Sequence, residues 1–262
     1  MTFNFPWPPI SFNKKNIKIT LSVIAVYLFF LISSLPANIL LFNLNLPKNI
    51  SINSVSGTVW SGKIGQLQVS SINVGKVSWD LRPLYLLVGE LSADIAVIND
   101  KQFINSQINI TPSGKIELEE TRFSIDLSTF APLTYGMPFA YSGIASGYFP
   151  ITFFLKNNFV GINGKLSLAN IKMISPQEQA FGDFTVDFRA EKEGATSGKI
   201  KDMGGVLDVA GLLDLNKKGL FNISAKLAAR EPDATLEQML SFLGAKDASG
   251  RVQLISSIKL WN

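Results

Sequence analysis

The chain has 262 residues, 47% of them hydrophobic and 17% charged, with a net charge of +4 and neither cysteine nor histidine. The two missing residue types exclude disulfide scaffolds, Cys/His zinc sites, haem ligation by those side chains and triads with a histidine base. Six lysines and no acidic residue precede Asp80, so the rest holds 18 basic against 20 acidic side chains, without a basic stripe that could follow nucleic-acid phosphates.

The chain opens on Phe3-Asn-Phe-Pro-Trp-Pro-Pro9, read as part of a short cytoplasmic tail over 1–16. No charged residue occurs from Ile19 to Pro47, and the apolar run 17–35 is long enough for a membrane helix at about 1.5 Å per residue across about 30 Å of hydrocarbon. Pro36 marks its exit, which sets a transmembrane helix over 17–36. Lys14, Lys15 and Lys18 precede the run and only Lys48 follows closely, so the positive-inside rule puts the N-terminus in the cytoplasm and the remainder in the periplasm. The expected protein is therefore a single-pass one of the cell inner membrane. A proline at Ser34-Leu-Pro-Ala37 makes a poor signal-peptidase site, and the apolar core is longer than a signal peptide needs.

A linker over 37–53 then leads to a β domain over 54–262. Apolar residues alternate in Val77/Trp79/Leu81, Leu91/Ala93/Ile95/Val97, Phe123/Ile125/Leu127, Phe184/Val186/Phe188 and Phe221/Ile223/Ala225/Leu227. Period two means strands with one buried and one wetter face. Turn residues punctuate them at Asn99-Asp100, Pro112-Ser-Gly114, Lys156-Asn-Asn158, Glu193-Gly194 and Lys217-Lys-Gly219. Short strands and short turns predict antiparallel meanders in a curved or sandwich-like, mostly β domain. The Ser-Gly dipeptides at 56–57, 61–62, 142–143, 146–147, 197–198 and 249–250 read as turn chemistry before strands. Two helical segments interrupt the pattern: a helix or turn over 128–135, weakened by Pro132, and a helix from the capping-box form Thr235-Leu-Glu-Gln238 to a stop at Gly244. Leu236, Met239, Leu240 and Leu243 share one face of the latter.

Chemistry-bearing motifs are missing. There is no G-x-S-x-G, G-x-x-x-x-G-K-[ST] or G-x-G-x-x-G. Glu117 and Glu119 share one strand face that a hard cation would suit, but Ile116 and Leu118 opposite make it an ordinary solvated face. No catalytic residue, metal, cofactor, nucleic acid or small-molecule substrate is expected.

The segment Ser54-Val-Ser-Gly-Thr-Val-Trp-Ser-Gly-Lys63, with Val77-Ser-Trp-Asp-Leu-Arg-Pro-Leu-Tyr-Leu-Leu-Val-Gly-Glu-Leu91, resembles protein N of the bacterial type II secretion system. Ser-Leu-Pro-Ala at 34–37, Phe-Leu-Gly at 242–244 and Ser-Gly-Arg at 249–251 fit the same pattern. The resemblance implies a non-enzymatic accessory component of the machine that exports folded proteins from the periplasm through an outer-membrane secretin. Its partners would be other secretion components, the inner-membrane platform or the secretin. The residues carrying the motif are Gly57, Thr58, Trp60, Gly62, Trp79, Leu81, Pro83 and Gly89, read as specifying the fold. Two readings of other classes stay open. One is lipid handling, as in AsmA-like and lipopolysaccharide-transport proteins whose curved sheets hold acyl chains. The other is a Ser/Lys hydrolase, which needs a buried lysine beside a serine.

Overall fold

The computed structural model describes residues 14–43, 46–100, 102–134, 140–154, 159–175, 177–191 and 194–259. The tail expected over 1–16 lies outside these up to residue 13, as do the turn at 156–158, Glu193 and Tyr135.

Helix α1 (Lys14–Ser33) is followed at once by the short α2 (Ala37–Asn43). A meander begins with β1 (Ile50–Gly57), β2 (Ser61–Val69) and β3 (Ile72–Leu81). A 3-10 turn, η1 (Pro83–Val88), leads to β4 (Leu91–Asn99), β5 (Gln102–Ile110) and β6 (Lys115–Asp126). A second 3-10 segment, η2 (Leu127–Thr134), precedes β7 (Ala140–Phe154), β8 (Phe159–Ile162), β9 (Gly164–Ser175) and β10 (Gln179–Ala190). The chain continues through β11 (Thr196–Asp202), β12 (Leu207–Leu215) and β13 (Leu220–Ala229), crosses in α3 (Ala234–Leu243), and returns in β14 (Val252–Lys259).

All 14 strands form one sheet in sequence order, every pairing antiparallel. Strands β8 and β9 share a place, pairing with different halves of β7. The mostly β, antiparallel expectation is met, but as one layer: among the described residues no second sheet completes a sandwich.

Register explains how alternation becomes a single apolar face. Val55, Ile64, Val77, Val97, Ile104 and Phe123 are successive cross-strand partners. The row continues through Gly147, Leu166, Val186, Ile200, Gly211, Ala225 and Leu254. In β6 a bulge between Leu118 and Thr121, with Glu120 at φ +49°, keeps Ile116, Leu118 and Phe123 on the same side. Glu117 pairs with Lys115 at 2.5 Å, as a solvated outer face allows. Among the described residues no three acidic groups converge as a metal site would require.

The core lies at the C-terminal end of this face. Phe184, Leu207, Val209, Ala225, Leu227 and Val252 are buried there under Leu236 and Leu240 of α3. The expected helix is present, but its N-cap is Asp233 and not Thr235: the Asp233 carboxylate accepts from the Thr235 and Leu236 amides at 2.9 and 3.0 Å. The capping-box form misled because the sequence holds an equally good cap two residues earlier. The Ser-Gly dipeptides at 142–143, 146–147 and 197–198 differ from expectation by lying inside β7 and β11. Gly147 and Gly198 sit inside strands against the rings of Phe149 and Phe188, where an added Cβ would lie 3.0–3.1 Å from ring carbons. They make room for aromatics on the apolar face.

Among the described residues no helix is long and apolar enough to cross a membrane. Helix α1 has 20 residues, but Lys14, Lys15 and Lys18 occupy its first turns. Its uncharged stretch, 19–33, rises about 22 Å against about 30 Å of hydrocarbon. Its apolar side chains are nonetheless exposed on all sides, Ile19, Leu21, Val26, Phe29 and Phe30 among them.

Candidate functional site

The motif residues separated by up to 32 positions in sequence come together where α1 meets the sheet. Strand β1 ends at Gly57, paired with Gly62 at the start of β2. Thr58 holds the intervening turn: its amide donates to the Ser61 carbonyl at 2.8 Å, and its hydroxyl accepts from the Ser61 amide at 3.1 Å. Pro36 forms a β-bridge with Thr58, so the chain leaving α1 lies beside this turn.

Two tryptophans then tie the helix to the sheet. The Trp60 indole Nε1 donates to the carbonyl of Ile32, in the last turn of α1, at 2.8 Å. The Val59 amide donates to the Leu35 carbonyl at 2.9 Å, and the Trp79 Nε1 to the Val59 carbonyl at 2.9 Å. The last carbonyls of a helix lack intrahelical donors. Here the indole of Trp60 and the amide and hydroxyl of Ser34, both bonded to Phe30, fill that need. Gly62 lies under the Trp79 ring, so close that an added Cβ would overlap it. Both indoles are half-buried.

Leu81, Pro83 and Gly89 extend the site along the same end of the sheet. The Leu81 amide donates to the Trp60 carbonyl at 2.6 Å. Pro83 opens η1, where its fixed φ fits and its missing N–H leaves no bond unmade. Gly89 closes it at φ 80°, ψ 11°, a left-handed geometry that favours glycine, and its amide reaches the Leu86 carbonyl. An Arg82–Asp94 fork spans β3 and β4, with the guanidinium 2.9–3.1 Å from both carboxylate oxygens. Arg82 and Asp94 were not singled out from sequence; only the cross-strand register, which puts Asp94 beside the end of β3, would have found them. Lys14, Lys15 and Lys18 sit at the other end of α1, away from this joint.

Of the two larger hollows among the described residues, the first adjoins this joint. It is polar, of about 510 Å³, and opens beside Trp79, Arg82, Asp94, Ser106 and Glu120. Lys63, Ser61 and Ser78 also line it, but Lys63 is exposed, whereas a Ser/Lys hydrolase requires a buried lysine beside its serine. The second, about 530 Å³, is an open apolar groove between α3 and the sheet, lined by Met173, Phe181, Leu207, Leu236 and Phe242. Tyr141 stands at its edge, its phenol pushed above the usual range by burial. Near the last turn of the chain, hydrogen bonds from Ser249, Lys226 and the Arg251 amide hold the Asp247 carboxyl well below the usual carboxylate range.

Residues 48–255 match the family model described as type II secretion system (T2SS), protein N. The chain is 24% identical over 263 residues to the type II secretion system protein N of Aeromonas hydrophila, covering 92% of this chain and 97% of that one. A local match, 38% identical over 61 residues, covers 23% of this chain and 24% of the type II secretion system protein N of Vibrio cholerae. No solved structure matches. The joint, the meander and these matches together make this chain a member of the type II secretion system protein N family.

Proposed function

We propose that the chain is a non-enzymatic, inner-membrane-anchored accessory component of type II secretion that holds its sheet in the periplasm for contact with other secretion components. The observation that carries this reading is the joint: Trp60 and Val59 bind the end of α1 directly, so the sheet keeps a defined attitude to the helix. In the proposed topology α1 crosses the inner membrane with its N-terminus in the cytoplasm. Lys18 snorkels at one end, and Trp60 sits at the opposite interface, where tryptophan is favoured.

Contact is proposed through the free edge of β14. Strand β1 has α2 and the Pro36–Thr58 bridge beside it, whereas among the described residues β14 ends the sheet with an edge left open beyond the Lys246–Val252 bridge at its start. Its sequence, Val-Gln-Leu-Ile-Ser-Ser-Ile-Lys, has no proline and no charge before its last residue, so it lacks the usual guards against strand addition. Photocrosslinkers at Gln253 and Ser257 in intact secreting cells should capture the platform or the secretin. Capture of neither from any β14 position, with the protein correctly inserted, would refute the assembly reading.

A second reading has one observation in its favour. The groove beneath α3 is open, apolar and of a size for one acyl chain, which suits a lipid-holding sheet. Phospholipid in the purified protein, lost on Phe242→Asp, would support it; protein free of lipid would remove it.

A further inference from the structure

Segment η1 carries no charge from Pro83 to Gly89, and its apolar side chains point away from the protein: Leu84 is 76%, Leu87 84% and Val88 71% exposed. Other strongly exposed apolar residues of the sheet, such as Leu212 and Ile255, stand singly along strands. Three on one short turn form a patch, and a patch of this kind marks an interaction surface.

The turn is also rigid. Tyr85 and Gly89 amides close it onto Arg82 and Leu86, the Glu90 amide bonds the Tyr85 carbonyl, and the Arg82 amide is fixed to Ser92 across the β3–β4 pair. With Pro83 at one end and a left-handed Gly89 at the other, the leucines are held outward in advance. They are not a loose loop awaiting collapse onto the sheet.

Its place says what covers it. The Leu35 carbonyl at the exit of α1 is bonded to Val59, and the neighbouring Trp60 carbonyl to Leu81, two residues before Pro83. Two such steps span about 10 Å at the spacing of hydrogen-bonded strands. Directly after the exit, α2 exposes Ile39. Trp60, Ile39 and the η1 patch thus ring the point where α1 ends, at one end of the sheet.

We infer that η1 is a membrane-seating element: Leu84, Leu87 and Val88 insert into the interfacial layer of the leaflet from which α1 emerges, so that the sheet stands on the bilayer at two points. The inference rests on the reading of α1 as the anchor. One anchor alone leaves a domain free to tilt and spin about the helix axis; a second contact about 10 Å away, through the rigid joint, removes most of that freedom. Apolar residues with interfacial aromatics are the composition such a contact requires.

The full chain has no cysteine, so single-site labelling is direct. Leu87→Cys, Ile24→Cys and Ile255→Cys would each carry an environment-sensitive fluorophore, with the protein in nanodiscs containing lipids nitroxide-labelled near the headgroup or deep in the chain. The label at 87 should shift to the blue and lose most of its emission to the shallow nitroxide. The label at 24 should be quenched by the deep one, and that at 255 by neither. Quenching at 24 without quenching at 87 overturns the seating of η1 and leaves the anchor standing. Absence of quenching at both positions overturns the anchor and the seating with it. Protection of 87 only when another secretion protein is added assigns the patch to a protein partner and likewise overturns the proposal.

Discussion

Strands β1–β5 and strands β9–β14 share the same alternation of apolar and polar residues, but they bury very different amounts of it. Among the described residues of β1–β5, only Ile64 and Ala93 are buried hydrophobics. The C-terminal strands bury Met173, Phe184, Val186, Leu207, Val209, Leu213, Leu215, Ala225, Leu227 and Val252. The difference is the cover. Helix α3 lays Leu236 and Leu240 on the apolar face at one end, while Val77, Ile95 and Val97 near the joint stay half-buried on the same face. A sheet's alternation decides which face is apolar; a second element decides whether that face becomes a core. Stability is therefore expected to reside in the C-terminal part, and geometry relative to the membrane in the N-terminal part.

The division can be tested from its strongest side downward. Leu236 is 1% exposed, and Leu236→Ala should lower unfolding free energy by about 2–5 kcal/mol, read from urea unfolding of the purified protein, while the joint's geometry is kept. A loss well below this range would mean that α3 is a lid and not part of the core. At the joint, Gly62→Ala drives a Cβ into the Trp79 ring and should cost about 1–3 kcal/mol. Trp79→Leu in the same chain should restore most of the loss; if it does not, the strain lies in the backbone.

Trp60→Phe keeps most of the ring and removes the bond to Ile32, so it should cost only about 1 kcal/mol. Its larger effect should be a broader distance distribution between spin labels at Phe29 and Leu67. An unchanged width would shift the coupling to the Val59–Leu35 bond. The smallest effect concerns acid. Because Asp247 is held below the usual carboxylate range when folded, it contributes stability above the unfolded value near 3.9, lost as pH falls through the lower folded value. Asp247→Asn should flatten this acid limb of the pH–stability curve by lowering stability at neutral pH, with the two proteins converging once the pH falls below the folded value.

Much of the fold was legible from local pattern because the sheet is a meander. Each strand's partner is its neighbour in sequence, so alternation and turn residues nearly suffice; Asn99-Asp100, Pro112-Ser-Gly114 and Lys217-Lys-Gly219 fall at turns as expected. Strand β7 was not foreseen over its full length, since the Ser-Gly dipeptides at 142–143 and 146–147 read as turn chemistry. Gly147 gives space to Phe123 and Phe149, and Pro150 lies where pairing passes from β9 to β8. The motif residues were found through resemblance, but not their purpose at the joint. The Trp60–Ile32 bond joins positions 28 apart through an indole, and no periodicity encodes such a contact. Nor does composition tell an outward-facing Leu84 or Leu87 from a buried one, since that depends on the turn Pro83 and Gly89 impose.

The neighbour-to-neighbour order of the strands also bears on how the protein reaches its native state. Each pairing in the path joins near neighbours along the chain, so the sheet can zip strand by strand in the direction of its synthesis, the longest connection being the one through α3 from Ala229 to Val252. The bonds that tie the end of α1 to the sheet come from Val59 and Trp60, with Trp79 bonded to Val59 behind them, and can form early. The cover supplied by α3 and β14 arrives last. Until then the growing sheet exposes an apolar face and an unpaired edge, the condition in which β proteins associate wrongly. A chaperone is thus needed most for the interval between β10 and α3.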